Sequence, residues 1–410
     1  MKILYLVHQF YPEFQSGTEK VILNNALMAQ QSGNRVKIVA YSFYDAKFYD
    51  RETNGILSRE FIYKGIPVLA FRYKNQPIDF NISLENGALN DFANEIIGSE
   101  APDIIHVGHL MRVHDFITVA RERNIPYIIT LTDFFLLCPK VILAPNDHSL
   151  CSGPQKGAAC RILCSEFSED FIGKRLKAAK DILENSKAIV APSKFVANVY
   201  KQEFEDLNIL IINHGIQYGL IKQNNRTYAS GDKLVFGYAG NLSYHKGIHI
   251  LQRAFSSIEN DNIKLILFGS GQDSYVSKLK ETAQNDARIS FYGAYSSDQL
   301  GDIFDRIDVL VAPSISYESY LLVLHEALAS NVPVIASDLG GMSERIRDGY
   351  NGFTFSAGDS EALKSKMELI INNVSILNKL KLNIRSNVII PTIEQEAYSY
   401  YRIYNNVVST

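Results

Sequence analysis

The chain has 410 residues, of which 46% are hydrophobic and 21% charged, with a net charge of −3. That length exceeds one ordinary core and makes two domains of similar size the expectation. The composition excludes a disordered chain, and the near-balanced charge gives no footing for nucleic acid as the main partner.

No uncharged apolar run reaches the length needed to cross a bilayer. The opening run Met1–His8 has a short apolar core and no small-residue cleavage site, and Glu13 and Glu19 follow soon after. It reads as a first buried strand and not as an export signal, which leads to the expectation of a cytoplasmic protein. Further strands are predicted, after Ile3–Val7, at Val36–Ala40, Ile104–Val107, Tyr127–Leu131, Ala188–Ala191 and Ile209–Ile212. Helix-length amphipathic runs alternate with them, the pattern of a parallel sheet covered by helices on both faces.

Between the first strand and a helix over Glu19–Gln31 stands Ser16-Gly17-Thr18-Glu19. It fits an N-cap with an acidic first turn, and it also fits amides around Gly17 offered to an anion. Histidines 8, 106, 109 and 114 fall near predicted carboxyl ends of strands, where open α/β sheets bind ligands. His106 and His109 flank the end of one strand, so one of them is expected to face the site. A lone histidine is more often structural than catalytic; His109 is the candidate for chemistry or acceptor binding.

All four cysteines, Cys138, Cys151, Cys160 and Cys164, fall between residues 138 and 164 with the spacing C-x12-C-x8-C-x3-C. Four soft ligands so confined suit a structural, tetrahedral zinc ion. Buried free thiols fit as well, and an iron–sulfur cluster fits less well. Disulfides are disfavoured in a cytosolic chain, and no base stands beside any of the four to make a nucleophile of it. The basic run Gly173–Lys180 fits a solvated helix face, or a peripheral contact with an anionic membrane surface.

A polar stretch over 217–232 is the expected linker. Beyond it, strands are predicted at Leu234–Ala239, Lys264–Phe268, Ile289–Tyr292, Val309–Ala312 and Pro333–Ala336. The expected domains are therefore 1–216 and 233–392. A last helix within 393–410, with Tyr398, Tyr401 and Tyr404 on one face, would cross back onto the first domain.

In the second half, Gly240-Asn241-Leu-Ser-Tyr-His-Lys246-Gly247 follows a strand and precedes a helix. Gly240 would let a phosphate approach the backbone, and Lys246 adds a mobile cation suited to a diphosphate. Gly269-Ser-Gly271 is only a partial dinucleotide fingerprint, since Ser274 stands at the third glycine position. Glu318 and Glu326 stand eight residues apart over good helix formers. If the whole run were helical, it would rise about 12 Å and place both carboxylates nearly on one side. The amides of Tyr320, Leu321 and Leu322 would then form an anion site at the helix start. Gly340-Gly341, with Glu344, permits close backbone approach.

The order of these motifs resembles the GT-B fold retaining glycosyltransferases of family 4, the glycosyl transferases group 1. The resemblance is carried by S-G-T-E at 16–19, P-D-I-I-H at 102–106, T-L-T-D-F-F-L-L-C-P at 130–139, A-P-S at 191–193 and I-I-N-H-G at 211–215. It continues through G-N-L-S-Y-H-K-G at 240–247, F-G-S-G at 268–271, F-Y-G at 291–293, the Glu318/Glu326 pair and G-G-M-S-E at 340–344. The cysteines after C-P resemble a subset of the family connected with surface-polysaccharide assembly.

The resemblance implies an α/β fold of two Rossmann-like domains with parallel sheets facing across a cleft, the first serving the acceptor and the second the nucleotide sugar. It implies that Glu326 binds ribose, that Glu318 sits at the donor sugar and that Lys246 holds the diphosphate. The amides at Tyr320–Leu322 and around Gly17 would help Lys246, and the turn Gly293-Ala294-Tyr295 would read the base. The activity so implied is transfer of a hexosyl unit from a nucleotide-diphosphate sugar, UDP-sugar first and GDP-sugar next, to a glycan or lipid-linked acceptor. No Asp-x-Asp pair stands near the donor motifs, so the chemistry is expected to need no metal cofactor. Two departures stand out: Asn241 where the family often has Arg, and Thr132 where it often has His. Asp133 or His109 would have to fill the latter place. A nucleotide-sugar epimerase of the same fold and a catalytically silent binding subunit are the alternatives.

Overall fold

Runs of Ile, Val, Leu and Ala set between amphipathic stretches become strands buried on both faces. In the computed structural model, which describes residues 1–409, they form two separate sheets. The chain falls into two units, one of Met1–Gly215 with the helix from Ile393 onward, the other of Ile216–Thr392.

The N-terminal unit begins β1 (Lys2–Val7), α1 (Gly17–Gln31), β2 (Arg35–Tyr41), β3 (Arg51–Thr53), β4 (Ile56–Tyr63), β5 (Ile66–Tyr73), α2 (Asn90–Glu100) and β6 (Ile104–Val107). It continues α3 (Asp115–Glu122), β7 (Tyr127–Thr130), α4 (Ala158–Leu163), α5 (Glu169–Glu184), β8 (Ala188–Ala191), α6 (Lys194–Glu203) and β9 (Ile209–Ile211). The sheet order is β3-β4-β5-β2-β1-β6-β7-β8-β9. All pairings are parallel except β3–β4 and β4–β5, a meander at one edge. The predicted strands omit this meander. Its signal was short-range: Lys64 and Gly65 both have positive φ, 49° and 83°, the requirement of a two-residue hairpin turn.

The C-terminal unit runs β10 (Leu234–Ala239), α7 (Ile248–Ser256), β11 (Ile263–Phe268), α8 (Asp273–Ala283), β12 (Ile289–Gly293), α9 (Leu300–Asp305) and β13 (Val309–Ala312). It closes with α10 (Leu322–Ala329), β14 (Val334–Ser337), β15 (Gly352–Phe355), α11 (Ser360–Asn372) and α12 (Ile376–Asn387). Its sheet is wholly parallel in the order β12-β11-β10-β13-β14-β15. β15 is a further strand beyond those predicted.

The stretch 217–232 is not a free tether. Tyr228 is buried and donates to Asp308 Oδ1 at 2.9 Å, and Arg226 pairs with the same carboxylate at 2.8 Å. Asn224 is buried as well and accepts from Lys381 Nζ at 2.8 Å. Polar composition suggested solvent, but each of these groups has a partner inside the unit.

The last helix, α13 (Ile393–Ser409), belongs to the N-terminal unit. Its buried rings are Tyr400 and Tyr404, one turn apart, whereas Tyr398 is 65% exposed. Their hydroxyls enter a buried network: Tyr404 meets His106 Nδ1 at 2.6 Å, and Tyr400 meets Thr130 Oγ1 at 2.9 Å. Thr130 also meets His106 Nε2 at 2.8 Å. Glu396 accepts from His214 Nδ1 and from the Gly215 amide, each at 2.8 Å. His106 is thus a core residue and not a site residue, and burial pushes its pKa down to about 3.

Candidate functional site

In the C-terminal sheet β10 is flanked by β11 on one side and by β13 on the other, which makes the β10/β13 edge a topological switch point. Lys246 follows β10 and Glu318 follows β13, so the register of two neighbouring strands delivers both to one place. Lys246 Nζ donates to Glu318 Oε1 at 2.6 Å, and Ser314 Oγ donates to the same oxygen at 2.7 Å. Ser314 was not singled out beforehand; its signal is an A-P-S directly after the strand, repeating the one at 191–193. Lys246 ends a 3-10 turn, Tyr244–Lys246, closed by Gly247 at φ 70°. A Cβ on Gly247 would lie 1.9 Å from the Pro313 carbonyl, so only glycine lets the two loops approach this closely. The Ile315 amide donates to the His245 carbonyl at 2.9 Å and fastens them.

Glu318 and Glu326 do not share a helix. α10 begins at Leu322, Leu321 is left-handed at φ 53°, and Glu318 lies in the preceding loop. The physical cause is Gly340-Gly341, whose backbone takes the place of a helical partner. The Gly341 amide donates to the Glu318 carbonyl at 2.8 Å, and a Cβ at 341 would lie 2.5 Å from the Ser319 carbonyl. The turn and the double glycine thus work together, and the 12 Å helical spacing expected above does not apply.

Glu326, inside α10, is 4% exposed. The Tyr295 hydroxyl is pushed upward first by burial and then by the Glu326 charge, which places the Gly293-Ala294-Tyr295 turn within electrostatic reach of that carboxylate. The Gly269 amide donates to the Gly293 carbonyl at 2.7 Å and fixes the start of the turn. Tyr320 is buried and stacks on His325 with ring centroids 3.8 Å apart, so its ring packs inside against the first turn of α10. Asn241 is exposed, and its carbonyl accepts from Tyr238 at 2.7 Å.

The N-terminal sheet has its own switch point, at β1/β6. Three adjacent parallel strands, β1, β6 and β7, bring His8, His109 and Asp133 together beyond their carboxyl ends. His109 Nε2 lies 2.5 Å from Asp133 Oδ2, while His109 Nδ1 accepts the Met111 amide at 3.1 Å. The ring proton therefore sits on Nε2 and is donated to the carboxylate. His8 stacks on His109 at 3.9 Å. Burial above all, then the charges of His109 and Arg112, hold His8 well below its ordinary pKa and thus neutral. Thr132 spends its hydroxyl on the Gly108 carbonyl at 2.9 Å. Gly17 opens α1 behind a capping box in which the Ser16 amide donates to Glu19 Oε2 at 2.6 Å.

The four cysteines are free and buried. The basic run does not form a uniformly solvated face. Arg175 turns inward onto the carbonyls of Ile82 at 2.9 Å, Leu136 at 3.2 Å, and Phe135, and Lys174 pairs with Asp170 at 2.7 Å. Among the described residues, no helix is long and apolar enough to cross a membrane.

The family model for glycosyl transferases group 1 matches residues 221–387. The lipopolysaccharide 1,2-N-acetylglucosaminetransferase of Salmonella typhimurium is 28% identical over 192 residues, 42% of this chain and 50% of that protein. The chain spans about half the length of the first curated relatives it matches. Among solved structures, sucrose-phosphate synthase from Thermosynechococcus elongatus superimposes with a TM-score of 0.75 at 17% identity, covering 100% of this chain and 99% of that one. Anabaena Alr3699/HepE, in complex with UDP and glucose, does so with a TM-score of 0.71 at 18% identity, covering 99% of each. At such identities the likeness speaks for the fold alone. The match to glycosyl transferases group 1 thus covers residues 221–387, and the chain's two α/β units have the GT-B fold.

Proposed function

We propose that the chain is a retaining glycosyltransferase. It moves a hexosyl unit from a nucleoside-diphosphate sugar to a hydroxyl of a glycan or lipid-linked acceptor, on the cytoplasmic side of the membrane. The observation that carries this reading is the Lys246–Glu318–Ser314 cluster, set at a sheet switch point inside the region matched to the family. The UDP and glucose held by HepE and the lipopolysaccharide named for the Salmonella relative support a UDP-sugar donor and a surface-polysaccharide product.

Cleaving the sugar–phosphate bond leaves charge on the diphosphate. The Lys246 ammonium, once turned from Glu318 to the diphosphate, and the amides that open α10 lower that cost, because they are in place before the charge appears. Glu326 takes the ribose hydroxyls beside the Gly293–Tyr295 turn, and Glu318 faces the donor sugar. The acceptor is assigned to the N-terminal unit, where the oriented His109–Asp133 pair replaces the histidine that Thr132 lacks.

Thermal-shift titration with UDP-, GDP- and ADP-sugars tests the donor, since a ligand of the native state raises Tm. Glu326→Ala is expected to raise donor KM with a smaller effect on kcat, and Lys246→Ala to lower kcat/KM by roughly 10²-fold or more. Unchanged kinetics in both would end this reading. A silent binding subunit is favoured by the engaged Thr132 hydroxyl; it would show a Tm shift with no transfer and no donor hydrolysis.

A further inference from the structure

The segment between β7 and α5 has one short helix, α4, and otherwise irregular backbone. Val141, Leu143, His148, Gln155 and Lys156 all have positive φ, a conformation that side chains other than glycine adopt rarely. A segment this irregular has few ladder hydrogen bonds of its own and needs another source of order. Its apolar centre is a cavity of about 10 Å³, and all four cysteines line it, together with Leu137, Leu143 and Ala159. About one small sphere fits such a space.

We infer that the four thiols, Cys138, Cys151, Cys160 and Cys164, constitute a binding site for one thiophilic divalent cation, Zn²⁺, which pins residues 134–168. Three observations converge on this. Cys138 and Cys151 come from separate stretches of the loop and Cys160 and Cys164 from α4 and its C-terminal cap, yet every one reaches the same cavity. Backbone hydrogen bonds fix their positions: the Val141 amide donates to the Cys138 carbonyl and the Cys151 amide to the Leu143 carbonyl, each at 2.9 Å, and the Cys164 amide to the Cys160 carbonyl at 2.8 Å. No other cysteine exists in the chain, so the cluster is not a chance sample of many.

Among the described residues, no group of three or more His, Cys, Asp or Glu side chains is arranged to hold a metal ion. Binding must therefore draw the sulfurs inward toward the Zn–S separation of about 2.3 Å, releasing their protons as it does so. The site would hold loop residues in place and take no part in sugar transfer.

Elemental analysis of the full chain, purified without chelator, is the test. The expected result is about one zinc per chain, lost in Cys160→Ser and in Cys164→Ser. Wild-type chain reloaded with Co²⁺ is expected to show the intense visible bands of a tetrahedral thiolate site, which keeps the test decisive if the serine variants do not fold. Wild-type chain with no metal and no cobalt spectrum, or with the cysteines joined as disulfides by mass spectrometry, overturns the inference. Neither outcome touches the donor-site reading, which the UDP-sugar titration checks separately.

Discussion

The ion pair between Lys246 and Glu318 gives the proposed donor site a defined resting state. A diphosphate must take the ammonium away from a carboxylate that already holds it, and the freed carboxylate is then left beside the sugar. Glu318→Gln removes the competitor without removing the hydrogen-bonding shape. It is expected to tighten binding of UDP alone by roughly three- to tenfold, the worth of a partly screened charged hydrogen bond. Transfer is expected to fall by roughly 10²-fold in the same variant. Calorimetry with UDP beside initial rates checks the pair of effects; weaker UDP binding would show that the two side chains do not compete. His106 supplies a second residue-scale test. It is fully buried and neutral between Tyr404 and Thr130, with its pKa pushed to about 3, so the unfolded chain binds the extra proton first as pH falls. Stability is therefore lost downward from pH ~6.5, by about 1.4 kcal/mol per pH unit for such a histidine, until pH approaches the folded value. His8 is shifted in the same direction and adds to the slope. His106→Gln should flatten the dependence of Tm on pH between 7 and 5, although it lowers Tm overall.

Among the elements, the loops after β10, β13 and β14 act as one assembly. Gly247 and Gly341 are contact points where backbone meets backbone, and a methyl group has nowhere to go at either. Gly247→Ala combines left-handed strain with a collision against the Pro313 carbonyl and is expected to cost about 2–4 kcal/mol. Denaturant unfolding of the variant checks it; a change under 1 kcal/mol would mean that the loops yield easily. The same assembly explains what the sequence misled about. Residues 318–326 have helical composition throughout, but hydrogen bonds from residues outside the segment stop the helix at Leu322. Local propensity is a weak prior wherever a tertiary partner competes for the same carbonyl.

For the molecule as a whole, α13 is the last element of the chain but part of the first unit's core. Tyr400, Tyr404 and Glu396 are buried there, and without them His106, His214 and Thr130 each lose a hydrogen bond that α13 supplies. A chain ending at Thr392 is expected to leave the N-terminal unit unfolded or aggregated. Residues 216–392, with their own sheet and core, are expected to fold alone and to show a UDP-dependent rise in Tm. Circular dichroism melts of both pieces decide this; a stable N-terminal piece without α13 would show that the helix is an accessory.

Much of the architecture could be read from residue order alone. Parallel strands buried on both faces are continuous apolar runs, and eleven such runs mark most of both sheets. The loops that carry Lys246 and Glu318 could be read too, because loops following parallel strands lie at a sheet's carboxyl edge whatever the rest does. What escaped is whatever depends on a distant partner. In the β4–β5 meander β4 is largely exposed, which dilutes its apolar content, whereas β5 is mostly buried and was legible as an apolar run that the predicted strands passed over. Asn224 and Tyr228 are buried only because Lys381 and Asp308 meet them. Tyr400, and not Tyr398, faces inward because His106 and Thr130 lie on that side. The sequence by itself determined which loops follow strands and so lie at the sheets' carboxyl edges, since strand order along the chain and apolar periodicity are local properties. Only the tertiary structure decided that Lys246 answers to Glu318 and His109 to Asp133. Each pair is made across neighbouring strands, β10 with β13 and β6 with β7, and that adjacency exists only once the sheet has formed.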